Sequence, residues 1–299
     1  MLSASETAQL DRLALGSAAA APAASIAGLR HARARGYGLE TTDHRPYRPG
    51  DDPRQIDWNA DARLRQLTVR VLQAEGQAHV HVVLDASASM RNDASASMQN
   101  DASGSMTHKL GAATRLAAAL AYLTVARRDL AGLSVFNTAV TTHLPGTRGR
   151  AHLHRLFSAL ASVSAEGGSA ITTSLTDISQ RLRPPAFVIV ISDFFTPGFG
   201  LDGLRALSLR GLDPAVMQIV SDDEIAPVAT DGDTLVDLEV EGRTTADRAR
   251  YLERFAVMTS ELRHHCLAHG MPWLQLRSSI GFAEALDAMI NAGILAGRR

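Results

Sequence analysis

Apolar positions along the chain follow two periods: short β-branched runs, and longer stretches at helical spacing. "HVHVVLD" (79–85) is a valine-rich run closing abruptly on an acid, as a buried strand does. "KLGAATRLAAALAYLTVARR" (109–128) sets Leu110, Ala113, Leu116, Ala117, Leu120 and Leu123 on one helical face. "GLSVFN" (132–137) and "AVTTHL" (139–144) read as a strand pair, and helices are expected near 151–162 and 173–183. "AFVIVISD" (186–193) carries the strongest strand pattern, with Pro184 and Pro185 before it and an acid at its end. A helix near 201–210 and the strand "AVMQIV" (215–220) follow, and "TLVDLEV" (234–240) alternates like an edge strand. A helix from Thr245 to His269 stops at Gly270 and Pro272, and "WLQLR" with a helix from about Gly281 completes the series.

Strands alternating with helices predict an α/β fold, a mostly parallel sheet covered on both faces. Right-handed crossovers place every parallel strand's carboxyl end on one edge, where ligands of such folds collect. Two strands here end in aspartate, at Asp85 and Asp193. The segment after the first, "DASASMRNDASASMQNDASGSM" (85–106), repeats Asp-x-Ser-x-Ser-Met three times with a period of eight. It is either a slipped low-complexity loop or a ligand set. Asp85, Ser87 and Ser89 sit at alternate positions, so one carboxylate and two hydroxyls converge in an extended turn. Asp193 adds a carboxylate from a neighbouring strand end. Hard oxygen ligands favour Mg²⁺, Mn²⁺ or Ca²⁺ over zinc. Only Asp85 has a strand directly before it, so the first copy is assigned the metal. Residues 91–106 read as a duplicated, inert loop; the alternative is a competing site in the third copy, which lies nearest the following helix.

Composition narrows the function classes. The 299 residues are 45% hydrophobic and 20% charged with a net charge of -1, an ordinary globular profile without a global field for nucleic acid or anionic lipid. Lys109 is the only lysine, arginine supplying the rest, a bias first attributable to coding. The single Cys266 excludes an intrachain disulfide and fits a reducing, cytoplasmic setting. Residues 13–29 are free of charge but are broken by Pro22 and follow acids, favouring a helix or loose arm over a secretion signal. No window matches the ~20 apolar residues of a membrane span. Residues 30–70 hold nine arginines against six acids and three prolines, a solvated arm or a partner-binding surface. Trp58 among them is expected to pack rather than stack on a nucleobase. His265 and His269, four apart, lack a third ligand, and Cys266 falls in the apolar series of its helix.

Asp85-Ala-Ser87-Ala-Ser89-Met90 after a buried strand resembles the metal-ion-dependent adhesion site of von Willebrand factor A domains. More closely, the chain resembles the bacterial domain-of-unknown-function family fifty-eight, whose members carry such a domain. "GYGLE" with "RPYRPGDDPRQIDW" and "DAR" (36–63), "EGGSAI" (166–171), "VIVISDFF" (188–195) and "RYLERF" (250–255) are similar to that family's landmarks, in order, over about residues 30–292. The resemblance implies a Rossmann-type, von Willebrand factor A-like domain over 77–299, with an N-terminal helix and arginine-rich arm over 1–76. It implies Asp85, Ser87, Ser89, Ser169 and Asp193 as metal ligands. Ser169 stands where a threonine is usual and Ala170 where an acid is common, leaving Thr172 and Thr173 as alternatives.

The resemblance also implies a partner, a MoxR-type AAA+ ATPase or another protein offering an acidic ligand, and a role as adaptor or co-chaperone. A metal-dependent hydrolase is the rival from another class, but no general base stands beside the ligand set. An extracellular adhesion module requires a secretion signal. No Gly-x-Ser-x-Gly elbow, P-loop or dinucleotide fingerprint is present.

Overall fold

The computed structural model describes residues 2–19, 40–47, 56–58, 60, 67–73, 78–91, 109–225, 235–237, 242–244 and 248–295. Its contacts divide the chain into two units, residues 1–29 with 78–299, and residues 30–77. The first unit opens with helix α1 (Ala4–Ala19). The smaller unit contains β1 (Glu40–Pro46) and β2 (Thr68–Gln73), paired antiparallel from Glu40↔Gln73 to Pro46↔Thr68. Arg45 and Arg70 of the arginine-rich stretch lie on this ladder, and Ile56 bridges to Val69 beside it. Trp58, expected to pack, is 61% exposed.

The larger unit continues through β3 (His79–Asp85), α2 (Lys109–Ala126), β4 (Leu130–Phe136), β5 (Val140–Thr147), α3 (Arg150–Ala161), α4 (Ile171–Arg181) and β6 (Phe187–Ser192). Then come α5 (Leu201–Leu209), β7 (Asp213–Val220), the one-turn helix α6 (Asp222–Ile225), β8 (Leu235–Asp237), β9 (Gly242–Thr244), α7 (Arg248–Ala268), β10 (Trp273–Arg277) and α8 (Phe282–Asn291). The six-stranded sheet has the order β10-β7-β6-β3-β4-β5, parallel except for β5, which runs antiparallel to β4. The α/β reading therefore holds. Within the expected edge strand over 234–240, Leu235–Asp237 forms a strand that pairs with β9 in a separate two-stranded ribbon. The rest of that stretch lies outside the described residues.

Burial on both faces explains why the central strands read as continuous apolar runs. Phe187, Ile189 and Ile191 of β6 enter one core with Val80, Val82 and Leu84, under α2 and α8. Val188 and Val190 enter the other, with Val83 and residues of α4, α5 and α7. Helix α2 departs from its one-faced expectation. Ala112, Ala118, Ala119 and Ala121 are buried along with the predicted face, while Leu110 is only partly so. The reason is α1, which packs on α2: Leu10 is fully buried, Glu6 pairs with Arg115, and the Tyr122 hydroxyl donates to Asp11 at 2.5 Å. Ser3 and Glu6 cap the start of α1 reciprocally, Glu6 N–H to Ser3 Oγ at 3.2 Å and Ser3 N–H to Glu6 Oε2 at 2.6 Å. Among the described residues, no helix is long and apolar enough to cross a membrane.

One polar seam interrupts the second core. His81, fully buried, lies 2.8 Å from Ser134 Oγ through Nε2, and the same hydroxyl lies 2.9 Å from His143 Nδ1. One hydroxyl hydrogen can reach only one of the two ring nitrogens, so at least one ring donates its N–H to the serine oxygen. Burial first, then the neighbouring histidines, holds His81 well below the usual imidazole range. Gly132 of β4 leaves the space the ring fills, since a Cβ there would lie 2.2 Å from His81 Nδ1.

Candidate functional site

The strand order reverses between β3 and β6, because the chain leaves β3 toward β4 and leaves β6 toward β7. The crevice at their carboxyl ends is where open α/β sheets bind ligands. Asp85 ends β3 there, and Ser192 and Asp193 end or follow β6.

Asp85 is fully buried and accepts three hydrogen bonds. Ser87 N–H donates to Oδ1 at 2.9 Å, and Ser169 Oγ and Ser192 Oγ donate to Oδ2 at 3.1 and 2.7 Å. Ser87 Oγ lies 3.1 Å from Ser89 Oγ. Four of the five predicted ligands, Asp85, Ser87, Ser89 and Ser169, are thus joined in one hydrogen-bonded cluster. Ser87 is buried, whereas Ser89 and Ser169 are half-buried, so the cluster opens toward solvent on their side.

The second loop is latched to the first by its backbone. Ala88 N–H donates to Gly167 O at 2.7 Å and Glu166 N–H to Ala86 O at 2.9 Å, while Ala170 N–H reaches Asn137 O at 2.8 Å. Gly167 sits at φ 71, a left-handed conformation that glycine adopts without a Cβ penalty. These bonds set Ser169 over Asp85. Thr173, one alternative ligand, turns its hydroxyl back to Ala170 O at 3.0 Å. The second and third copies of the repeat, with Asp93 and Asp101, lie outside the described residues.

Asp193 is engaged differently. Its Oδ2 accepts from the Lys109 ammonium at 2.7 Å, and its Oδ1 accepts from Phe195 N–H at 3.1 Å. Lys109, 2% exposed at the start of α2, also donates to Glu224 Oε1 at 2.5 Å. Glu224 is held by a second capping box: Ser221 N–H donates to its Oε2 at 2.7 Å, and Glu224 N–H donates to Ser221 Oγ at 3.2 Å.

The electrostatics follow from these contacts. Burial, then the nearby Asp193 charge, pushes the Asp85 carboxyl up to about 6 despite its hydrogen bonds. Burial likewise raises Glu224, with Lys109 opposing. Burial works against the Lys109 ammonium, but Asp193 and Glu224 outweigh it and raise its pKa. Two carboxylates, Asp193 and Glu224, thus share one ammonium, and among the described residues no cationic side chain pairs with Asp85.

Lys109, Ser192 and Glu224 were not among the expected site residues. Lys109 carried a signal, being the one lysine of the chain, and "SDDE" (221–224) is a capping-box pattern directly after a strand. Ser192, a lone serine inside an apolar strand, carried none.

A buried carboxylate short of positive charge, ringed by serine hydroxyls whose lone pairs remain available, fits a hard divalent cation. Among the described residues no three His, Cys, Asp or Glu side chains form a metal-holding group, so such an ion would rely on the serines. Elsewhere, His269 Nδ1 lies 2.8 Å from the His265 carbonyl, and the buried Cys266 thiol is pushed up to about 12 by burial.

The family described as "Protein of unknown function DUF58" matches residues 43–265. Uncharacterized proteins of Mycobacterium tuberculosis and Mycobacterium bovis are each 28% identical over 179 residues, 58% of this chain and 53% of theirs. The chain therefore spans about half the length of the curated relatives it matches. Among solved structures, an aerotolerance-related membrane protein from Bacteroides fragilis is similar over 73% of this chain and 98% of its own, at 19% identity and a TM-score of 0.44. Proximal thread matrix protein 1 from the mussel byssus is similar over 73% and 46%, at 16% identity and a TM-score of 0.40.

Proposed function

We propose, for a chain that belongs to the DUF58 family, that the carboxyl edge of its sheet is a von Willebrand factor A-like, metal-dependent protein-binding site. The observation that carries this reading is Asp85: a fully buried carboxylate without a cationic partner among the described residues, receiving hydroxyls from both Ser169 and Ser192. Asp85, Ser87, Ser89 and Ser169 would hold Mg²⁺, Mn²⁺ or Ca²⁺, with Asp193 behind them. The ion supplies a positive centre with an exchangeable position, since Mg²⁺ prefers an octahedron and keeps several waters.

The half-buried Ser89 and Ser169 mark the side a partner approaches. An acidic side chain entering there makes a short, charge-assisted contact. The resemblance to the family supports a MoxR-type AAA+ ATPase as that partner, an adaptor or co-chaperone role, and a cytoplasmic setting. The test is capture of the ATPase on the immobilised protein with Mg²⁺, with EDTA, and with Ser87→Ala. Capture lost with EDTA and weakened by Ser87→Ala is expected. Capture indifferent to both moves the binding surface elsewhere, with the arginine-rich stretch at 30–70 the first candidate.

A further inference from the structure

We propose that Lys109 is a tethered competitor at this site: its ammonium holds the Asp193 carboxylate away from the divalent ion and so keeps the ion weakly bound and exchangeable. The inference rests on the metal-binding reading above and concerns the regulation of that same site.

Asp85 and Asp193 both accept on each oxygen, but among the described residues only Asp193 has a cationic donor. Its Oδ2 is taken by the ammonium at 2.7 Å and its Oδ1 by Phe195 N–H at 3.1 Å, while Gln218 Nε2 anchors the Asp193 carbonyl at 3.2 Å. An ion bound at Asp85, Ser87, Ser89 and Ser169 meets this carboxylate through water, or else displaces Lys109. The residue type suits the task. An ammonium is a compact point charge on a flexible stem, whereas a guanidinium fork imposes its own planar geometry. In a chain that otherwise uses arginine, the one lysine is placed here.

Lys109 bridges Asp193 and Glu224, and a third carboxylate, Asp85, lies close enough to Asp193 for their charges to oppose each other. With all groups ionised, three carboxylates and one ammonium leave a net charge of about −2, which one divalent cation would neutralise. The Lys109 ammonium also lies 5.4 Å from the centre of the Phe195 ring, which stacks on Phe255 of α7 at 5.7 Å. Displacement therefore has a defined neighbour to disturb.

Coupling between two ligands of one site is reciprocal: if Lys109 weakens the ion, the ion must loosen Lys109 by the same factor. Calorimetry with Mn²⁺ and Mg²⁺ on wild type, Lys109→Met, Asp193→Asn and the double variant reads the first half. Lys109→Met is expected to bind about tenfold more tightly, within the usual range of such couplings, and the gain is expected to vanish in the double variant. The second half needs no substitution. Lysine labelled with ¹³C at Cε gives one signal in this chain, and it should shift on Mg²⁺ addition with the same midpoint as the calorimetry.

A cooperatively melting Lys109→Met with unchanged or weaker affinity overturns the inference, as does a gain that survives Asp193→Asn. If Lys109→Met fails to fold, the labelled wild type decides: binding without a shift of the Lys109 signal overturns it. Absence of Mn²⁺ and Mg²⁺ binding in both wild type and a folded Lys109→Met sinks the metal reading itself.

Discussion

Ser192 Oγ donates to Asp85 Oδ2 at 2.7 Å, joining the ends of the adjacent parallel strands β6 and β3. The same serine oxygen accepts from Phe194 N–H at 2.9 Å, so the turn after β6 is fixed by the residue that steadies Asp85. The consequence is a carboxylate held in place before any ligand arrives, the preorganisation that binding sites require.

Divalent-ion binding should depend on Asp85 and not on the third repeat. In calorimetry, Asp85→Ala is expected to lose Mg²⁺ and Mn²⁺ binding while Asp101→Ala keeps it. The reverse result would transfer the site to the copy nearest α2.

Asp85 should also weaken the metal-free fold. Its carboxyl is held at about 6, against an ordinary 3.8. An acid with a folded pKa above its unfolded one destabilises the fold above the folded value, and that penalty fades as pH falls through 6 toward 3.8. Without divalent ions, Asp85→Asn is therefore expected to be more stable than wild type near pH 8, by a few kcal/mol at most, roughly. The gap should close near the acid end. Urea unfolding at both pH values checks this, and an Asp85→Asn less stable than wild type in alkaline buffer contradicts it.

The histidine seam disfavours any side chain at Gly132. An added methyl would lie 2.2 Å from His81 Nδ1, inside a closed core, so Gly132→Ala forces a shift of ring or strand. Overpacking of this kind costs about 1–3 kcal/mol. A lowered thermal midpoint is expected, and stability equal to wild type would show that the ring has room to move.

Much of the fold was legible because local and global patterns agree. The run from His79 to Asp85 became β3 end to end, and the helix read from Lys109 ends at Ala126. Asp85 and Asp193 stood out because acids closing buried strands have few structural reasons to be there. What resisted reading depended on distant partners. Helix α2 looked one-faced because nothing local says that α1 covers its other side. The alternation at 234–240 suggested an edge strand but not its partner, which among the described residues is Gly242–Thr244. Lys109 looked like a statistical oddity until two carboxylates, 84 and 115 residues further on, gave it a place.

Setting Ser169 and Ser192 on Asp85 closes stretches of 84 and 107 residues. No such meeting persists once the chain is denatured, so an ion seated there binds the native state alone. Its binding free energy then adds to the work of unfolding, about 2.7 kcal/mol at a hundredfold excess over Kd. A metal-filled socket would double as a clasp between the two halves of the sheet, and survival against a protease, with and without chelator, would gauge how often it is shut.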